Sequence, residues 1–122
     1  MQSRDRTRSV GPDGLLTATV GRLPDAVVVT AAGEIDLATV AHLRAALDQA
    51  VAAPEPVLIV DLTEVEFIGS TGLSALLAAA EAAAPRPLRL LASPRVRRPL
   101  AVTGLDRILS VYSDLVAART AL

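Results

Sequence analysis

Val57-Leu58-Ile59-Val60-Asp61-Leu62-Thr63-Glu64-Val65-Glu66-Phe67-Ile68-Gly69-Ser70-Thr71-Gly72-Leu73 is the stretch on which the fold turns. Its first four residues form an unbroken apolar run introduced by Pro54 and Pro56. A short run of that kind marks a strand buried on both faces, so residues 57–60 are expected to be the central strand of a sheet. Asp61, Glu64 and Glu66 then form an acidic stretch, read as a solvated rim before Ser70. Gly69 and Gly72 bracket the hydroxyls of Ser70 and Thr71, and the chain passes into an Ala- and Leu-rich helix over residues 73–83, closed by Pro85.

Upstream, residues 15–20 and 26–31 are β-rich runs separated by Gly21-Arg22-Leu23-Pro24-Asp25, which reads as an antiparallel hairpin. Gly33-Glu34-Ile35-Asp36 ends the second strand, and Asp36 is expected to cap a helix over 37–52. Val40, Leu43, Ala46, Leu47 and Ala50 give that helix one apolar stripe. Downstream, residues 88–92 read as a strand, and Ser93-Pro94 starts a helix that Gly104 stops. Residues 108–112 read as a last short strand, with Ser113 capping a final helix over 114–121. The order implies an α/β fold with a mixed sheet of about four to five strands, opening with a hairpin and packed by about four helices.

A chain of 122 residues has room for one domain. Residues 1–14, polar and Arg-rich, are expected to be a disordered tail, and 15–122 the domain. The apolar share is 52%, yet Phe67 and Tyr112 are the only aromatic residues, so Leu, Val, Ile and Ala must build the core. Net charge is −1, and all 12 basic residues are arginine without interleaved aromatics, which argues against a nucleic-acid partner. There is no cysteine for a disulfide or a thiolate metal site. The apolar runs fall far short of the roughly 20 residues a membrane span requires. A soluble, cytoplasmic protein is expected.

Enzyme templates fit poorly. A phosphate-binding loop of the Walker type needs a lysine, and the chain has none. A nucleophile elbow needs glycine two residues before the serine, where Ile68 stands, and the only histidine, His42, falls on the first amphipathic helix. No catalytic residues, metal or cofactor are expected. Glu34 and Asp36 read as a turn and a cap, or alternatively as an acid–base or cation pair. Ser70 or Thr71 can cap the helix that follows, and the same helix end can receive an anion.

Two motifs resemble the STAS family, named for sulphate transporters and anti-sigma factor antagonists, and the likeness runs from residue 15 to the end. Gly33-Glu34-Ile35-Asp36 is similar to the family's Gly-Glu-Leu-Asp opening. The segment from Val60 to Leu73 is similar to Asp-Leu-Ser-x-Val-x-Phe-hydrophobic-Asp-Ser-Ser/Thr-Gly-Leu. Gly69 departs from it, standing where many members have Asp. The resemblance implies the STAS fold and an anti-sigma factor antagonist. Such a protein binds an anti-sigma factor with serine kinase activity, frees a sigma factor, and is switched off when the partner, using its own ATP, phosphorylates Ser70. It also implies a phosphatase to reset the switch and a monomer or weak homodimer. The partner-binding residues it marks are Gly33, Glu34, Asp36, Glu64, Gly69, Ser70, Thr71 and Gly72. The alternative is a scaffold that is not phosphorylated and assembles with itself or another regulator.

Overall fold

The computed structural model describes residues 15–121, together with the backbone of residues 8–10. In chain order it comprises β1 (Arg8–Val10), β2 (Leu16–Arg22), β3 (Ala26–Ile35), α1 (Val40–Ala52), β4 (Val57–Ile68), α2 (Ser70–Ala83), β5 (Leu88–Ala92), α3 (Pro94–Thr103), β6 (Ser110–Tyr112) and α4 (Leu115–Thr120). The strands lie side by side in sequence order, antiparallel from β1 to β3 and parallel from β3 to β6. β4 is therefore interior, as the complete burial of Leu58, Ile59 and Val60 requires.

Parallel neighbours need crossovers, and right-handed crossovers that all step in one direction place α1, α2 and α3 on the same face. There the α1 stripe of Val40, Leu43, Ala46, Leu47 and Ala50 meets Leu73, Leu76 and Ala79 of α2 and Leu100 of α3 above the sheet. The alanines at these positions let two helices settle close together over the strands. The other face is covered only in part. Ala118 of α4 closes a small second core with Ala26, Ile59 and Leu91. Arg89 donates to the Ala118 carbonyl and Arg119 to the Asp25 carboxylate, each at 2.7 Å, and these bonds hold α4 in place.

The hairpin, the central strand, β5 and the Pro94-to-Gly104 helix stand where the sequence placed them. Other boundaries move. The central strand continues to Ile68, so the acidic rim lies on a strand and not on a loop. α2 begins at Ser70 and α1 only at Val40, after a turn. Asp114, not Ser113, caps α4, accepting from the Ala117 N–H at 2.8 Å. A 3-10 turn over Leu105–Arg107 delays β6 to Ser110. The sheet has six strands, not four or five, because Arg8–Val10, inside the stretch read as a tail, pairs with β2. Residues 1–7 and 11–14 of that stretch lie outside the described residues.

Candidate functional site

Between Leu58 and Leu62, β4 is flanked by β3 and β5, but beyond Leu62 it pairs with β3 alone. The ends of β3 and β4 therefore form a two-stranded ledge. Two register shifts occur on it: from Thr30↔Asp61 to Ala32↔Glu64, and from Gly33↔Val65 to Glu34↔Phe67. Each gives β4 one residue more than its partner, a bulge that breaks the in–out alternation. The outcome is two successive outward pairs, Thr63-Glu64 and Glu66-Phe67, with Val65 and Ile68 buried between and after them.

On the β3 side, Gly33 adopts φ +115°, and a Cβ there would collide with the Leu15 carbonyl oxygen, so this position demands glycine. The close approach lets the Glu34 N–H donate to that carbonyl at 2.9 Å. The next turn is organised by Thr39, the only polar residue buried completely among the described residues. Its hydroxyl donates to the Glu34 carbonyl at 2.8 Å and accepts from the Asp36 N–H at 3.0 Å. The Asp36 carboxylate accepts from the N–H groups of Ala38 and Thr39, at 3.0 and 3.2 Å. Asp36 thus shapes the turn over residues 37–39, and Thr39, not Asp36, is the N-cap residue of α1.

On the β4 side, the Gly69 N–H donates to the Ile35 carbonyl at 2.8 Å, and the Gly69 carbonyl accepts from Gly72 and Leu73 to open α2. Gly69 is therefore the N-cap residue and Ser70 the first helical one, with no side-chain cap. Ser70 is exposed and Thr71 half-buried. Neither hydroxyl makes a hydrogen bond among the described residues, so the reading of these hydroxyls as caps gives way. Gly72, grouped with the partner-facing residues, is buried. A Cβ on it would stand 2.6 Å from Ile35 Cγ2 and 2.7 Å from Ile68 Cγ1, so its lack of a side chain lets α2 descend onto the ledge.

The ledge gathers Gly33, Glu34, Asp36, Glu64 and Gly69 to Gly72 at one end of the sheet. Leu37 is 81% exposed on the turn, and Phe67 is 52% exposed on the strand. Arg95 donates to Glu66 at 2.8 Å, and since both side chains are largely in solvent the pair adds little stability. No acidic residue occupies the first turn of α2. Its N–H groups and positive dipole end can therefore accommodate added negative charge at Ser70. Beside Ser70 runs a groove of about 240 Å³ lined by Leu73, Ser74, Leu77, Thr103 and Leu105. Asp61 folds back onto Thr63, accepting from its N–H at 2.9 Å and its hydroxyl at 2.7 Å, at the first bulge of β4.

Sequence reasoning missed Thr39 and Phe67. Thr39 carried a signal, since a hydroxyl three residues after Asp is the spacing of a reciprocal turn. The exposure of Phe67 carried none, because the pairing that sets it opposite Glu34 leaves no mark in composition. Among the described residues no group of three His, Asp or Glu side chains is placed to hold a metal ion, and no helix is long and apolar enough to cross a membrane.

Comparison with known proteins agrees with this architecture. The family described as "Mlab, STAS domain" matches residues 18–116. The anti-sigma-F factor antagonist RsfB of Mycobacterium tuberculosis is 38% identical over 111 residues, 89% of this chain and 90% of that protein. The crystal structure of an anti-sigma factor antagonist from Mycobacterium paratuberculosis superposes with a TM-score of 0.83 at 37% identity, covering 93% of this chain and 97% of that one. The Bacillus cell fate determinant SpoIIAA in its phosphorylated form shares the fold, with a TM-score of 0.60 at 20% identity over 80% of this chain and 92% of that one. With the two motifs on one ledge and a family match across most of its length, the chain belongs to the STAS domain family, among the anti-sigma factor antagonists.

Proposed function

We propose that the chain is a cytoplasmic partner-switching module and not an enzyme. It binds an anti-sigma factor of the serine kinase type through the ledge and so releases a sigma factor. Phosphorylation of Ser70, with ATP brought by the partner, ends the binding, and a phosphatase restores it. The observation that carries this reading is the Ser70 hydroxyl. It is exposed, unbonded among the described residues, and mounted on the first turn of α2 directly after the end of β4. A group engaged in capping would have to break a bond to react, and Ser70 has none to break. Phosphate would add about −1.5 to −2 charges there, which the helix dipole tolerates and a docked partner surface does not. Two antagonists more than 35% identical to this chain and a phosphorylated protein of the same fold support the reading.

The test is a pull-down from host lysate with wild type and Ser70→Asp side by side, followed by incubation of the captured kinase with ATP and either wild type or Ser70→Ala. Capture of an anti-sigma kinase by wild type alone, with phosphate entering wild type and not Ser70→Ala, is expected. Equal capture by both, with no phosphate transfer, would instead establish the scaffold that assembles without a switch.

A further inference from the structure

We infer that Phe67, left uncovered by Gly69, is an apolar anchor of the docking face, and that glycine at position 69 selects a partner that places an apolar side chain there. The inference rests on the reading of the ledge as the surface that meets the anti-sigma factor. Phe67 is the only phenylalanine in the chain. Its backbone pairs with Glu34 on the outward side of the ledge, between the buried Val65 and Ile68, so the ladder itself presents the ring, which is 52% exposed. Aromatic side chains held rigidly at the surface are the usual anchors of protein interfaces.

Gly69 is not required by its own backbone. Its φ of −91° suits any residue. A Cβ there would meet the Phe67 ring at 3.5 Å from Cε2 and 3.6 Å from Cζ, and the Ile35 carbonyl oxygen at 3.7 Å, all ordinary contacts. The fold thus admits a side chain at 69, and any such side chain would lie against the ring. Aspartate, the residue many family members carry, would set a carboxylate beside the ring and favour a cation opposite it. Glycine leaves the ring edge bare. The matching partner surface has an apolar side chain over Phe67, with cations beyond it facing Glu34, Asp36 and Glu64.

The anti-sigma kinase captured by the wild-type protein, purified, is the probe for calorimetric titration with wild type, Phe67→Ala, Phe67→Leu, Gly69→Asp and Ser70→Asp, each checked for unchanged thermal midpoint. Phe67→Ala and Gly69→Asp are expected to weaken binding about tenfold or more, with Phe67→Leu recovering part of the loss. If Phe67→Ala or Gly69→Asp binds within about twofold of wild type while Ser70→Asp does not bind, the switch stands and the anchor is overturned. If wild type captures no anti-sigma kinase, both fall together.

Discussion

The Thr39 hydroxyl donates to the Glu34 carbonyl at 2.8 Å and so ties the first turn of α1 to the tip of β3. The same oxygen accepts from Asp36, which makes one buried atom the hinge pin of the Gly-Glu-Ile-Asp motif. Thr39→Val keeps the shape and removes both bonds, leaving a carbonyl and an N–H without partners. A loss of about 1–3 kcal/mol is expected in urea unfolding, with Thr39→Ser close to wild type.

Ser70→Ala is expected to change stability by less than about 0.5 kcal/mol, because the hydroxyl caps nothing. Asp114→Ala should cost about 1 kcal/mol by the same measurement, since that carboxylate does accept from Ala117 at 2.8 Å. A large loss at Ser70 would restore the capping role. Ser70→Asp should fold as well as wild type, with the charge lying at the favourable end of the α2 dipole.

Gly72→Ala sets two effects against each other. Alanine gains up to about 1 kcal/mol of helix propensity over glycine. Its methyl group would press on Ile35 and Ile68, both β-branched and buried, and overpacking of that kind costs about 1–3 kcal/mol. A net destabilisation of about 1 kcal/mol is expected by urea titration, accompanied by weaker partner binding as α2 lifts from the ledge.

Glu55 supplies a pH dependence remote from the ledge. The hydrogen bond from Arg22, at 2.8 Å, holds its carboxyl below the ordinary value of 4.5. Arg86 lies nearby, donating to the carbonyls of Val51, Ala53 and Glu55. A lowered folded value means that the unfolded chain takes up the proton first. The contribution is therefore complete above about pH 4.5 and is lost as pH falls through the lower folded value. Urea midpoints below pH 5 should decline less for Glu55→Gln than for wild type.

Much of the architecture was legible because apolar periodicity and punctuation agreed: the run at 57–60 gave the central strand, and Ser93-Pro94 with Gly104 bounded α3. Ser70 and its acidic neighbours were found through the motif, and the fold brings them to one end of the sheet. What escaped depended on geometry that residue types do not encode. Asp36 and Ser70 both look like caps, but only a built turn reveals that Thr39 and Gly69 hold those positions. The exposure of Phe67 went unread, because an aromatic between Glu66 and Ile68 gives no sign of how the ladder pairs beside it.

The slip in β4 has an evolutionary consequence. The outward pairs Thr63-Glu64 and Glu66-Phe67 exist because β4 is longer than its partner by one residue at each of two places. The outward face of the ledge is thus written in chain length as well as in residue identity. Losing the codon for Glu66 would restore regular alternation, with Phe67 still outward opposite Glu34 and the pair reduced to one residue, a change that no tally of substitutions would register. Insertion or deletion at these two places would therefore widen or narrow the outward face by one residue while leaving the buried Val65 and Ile68 in register with β3.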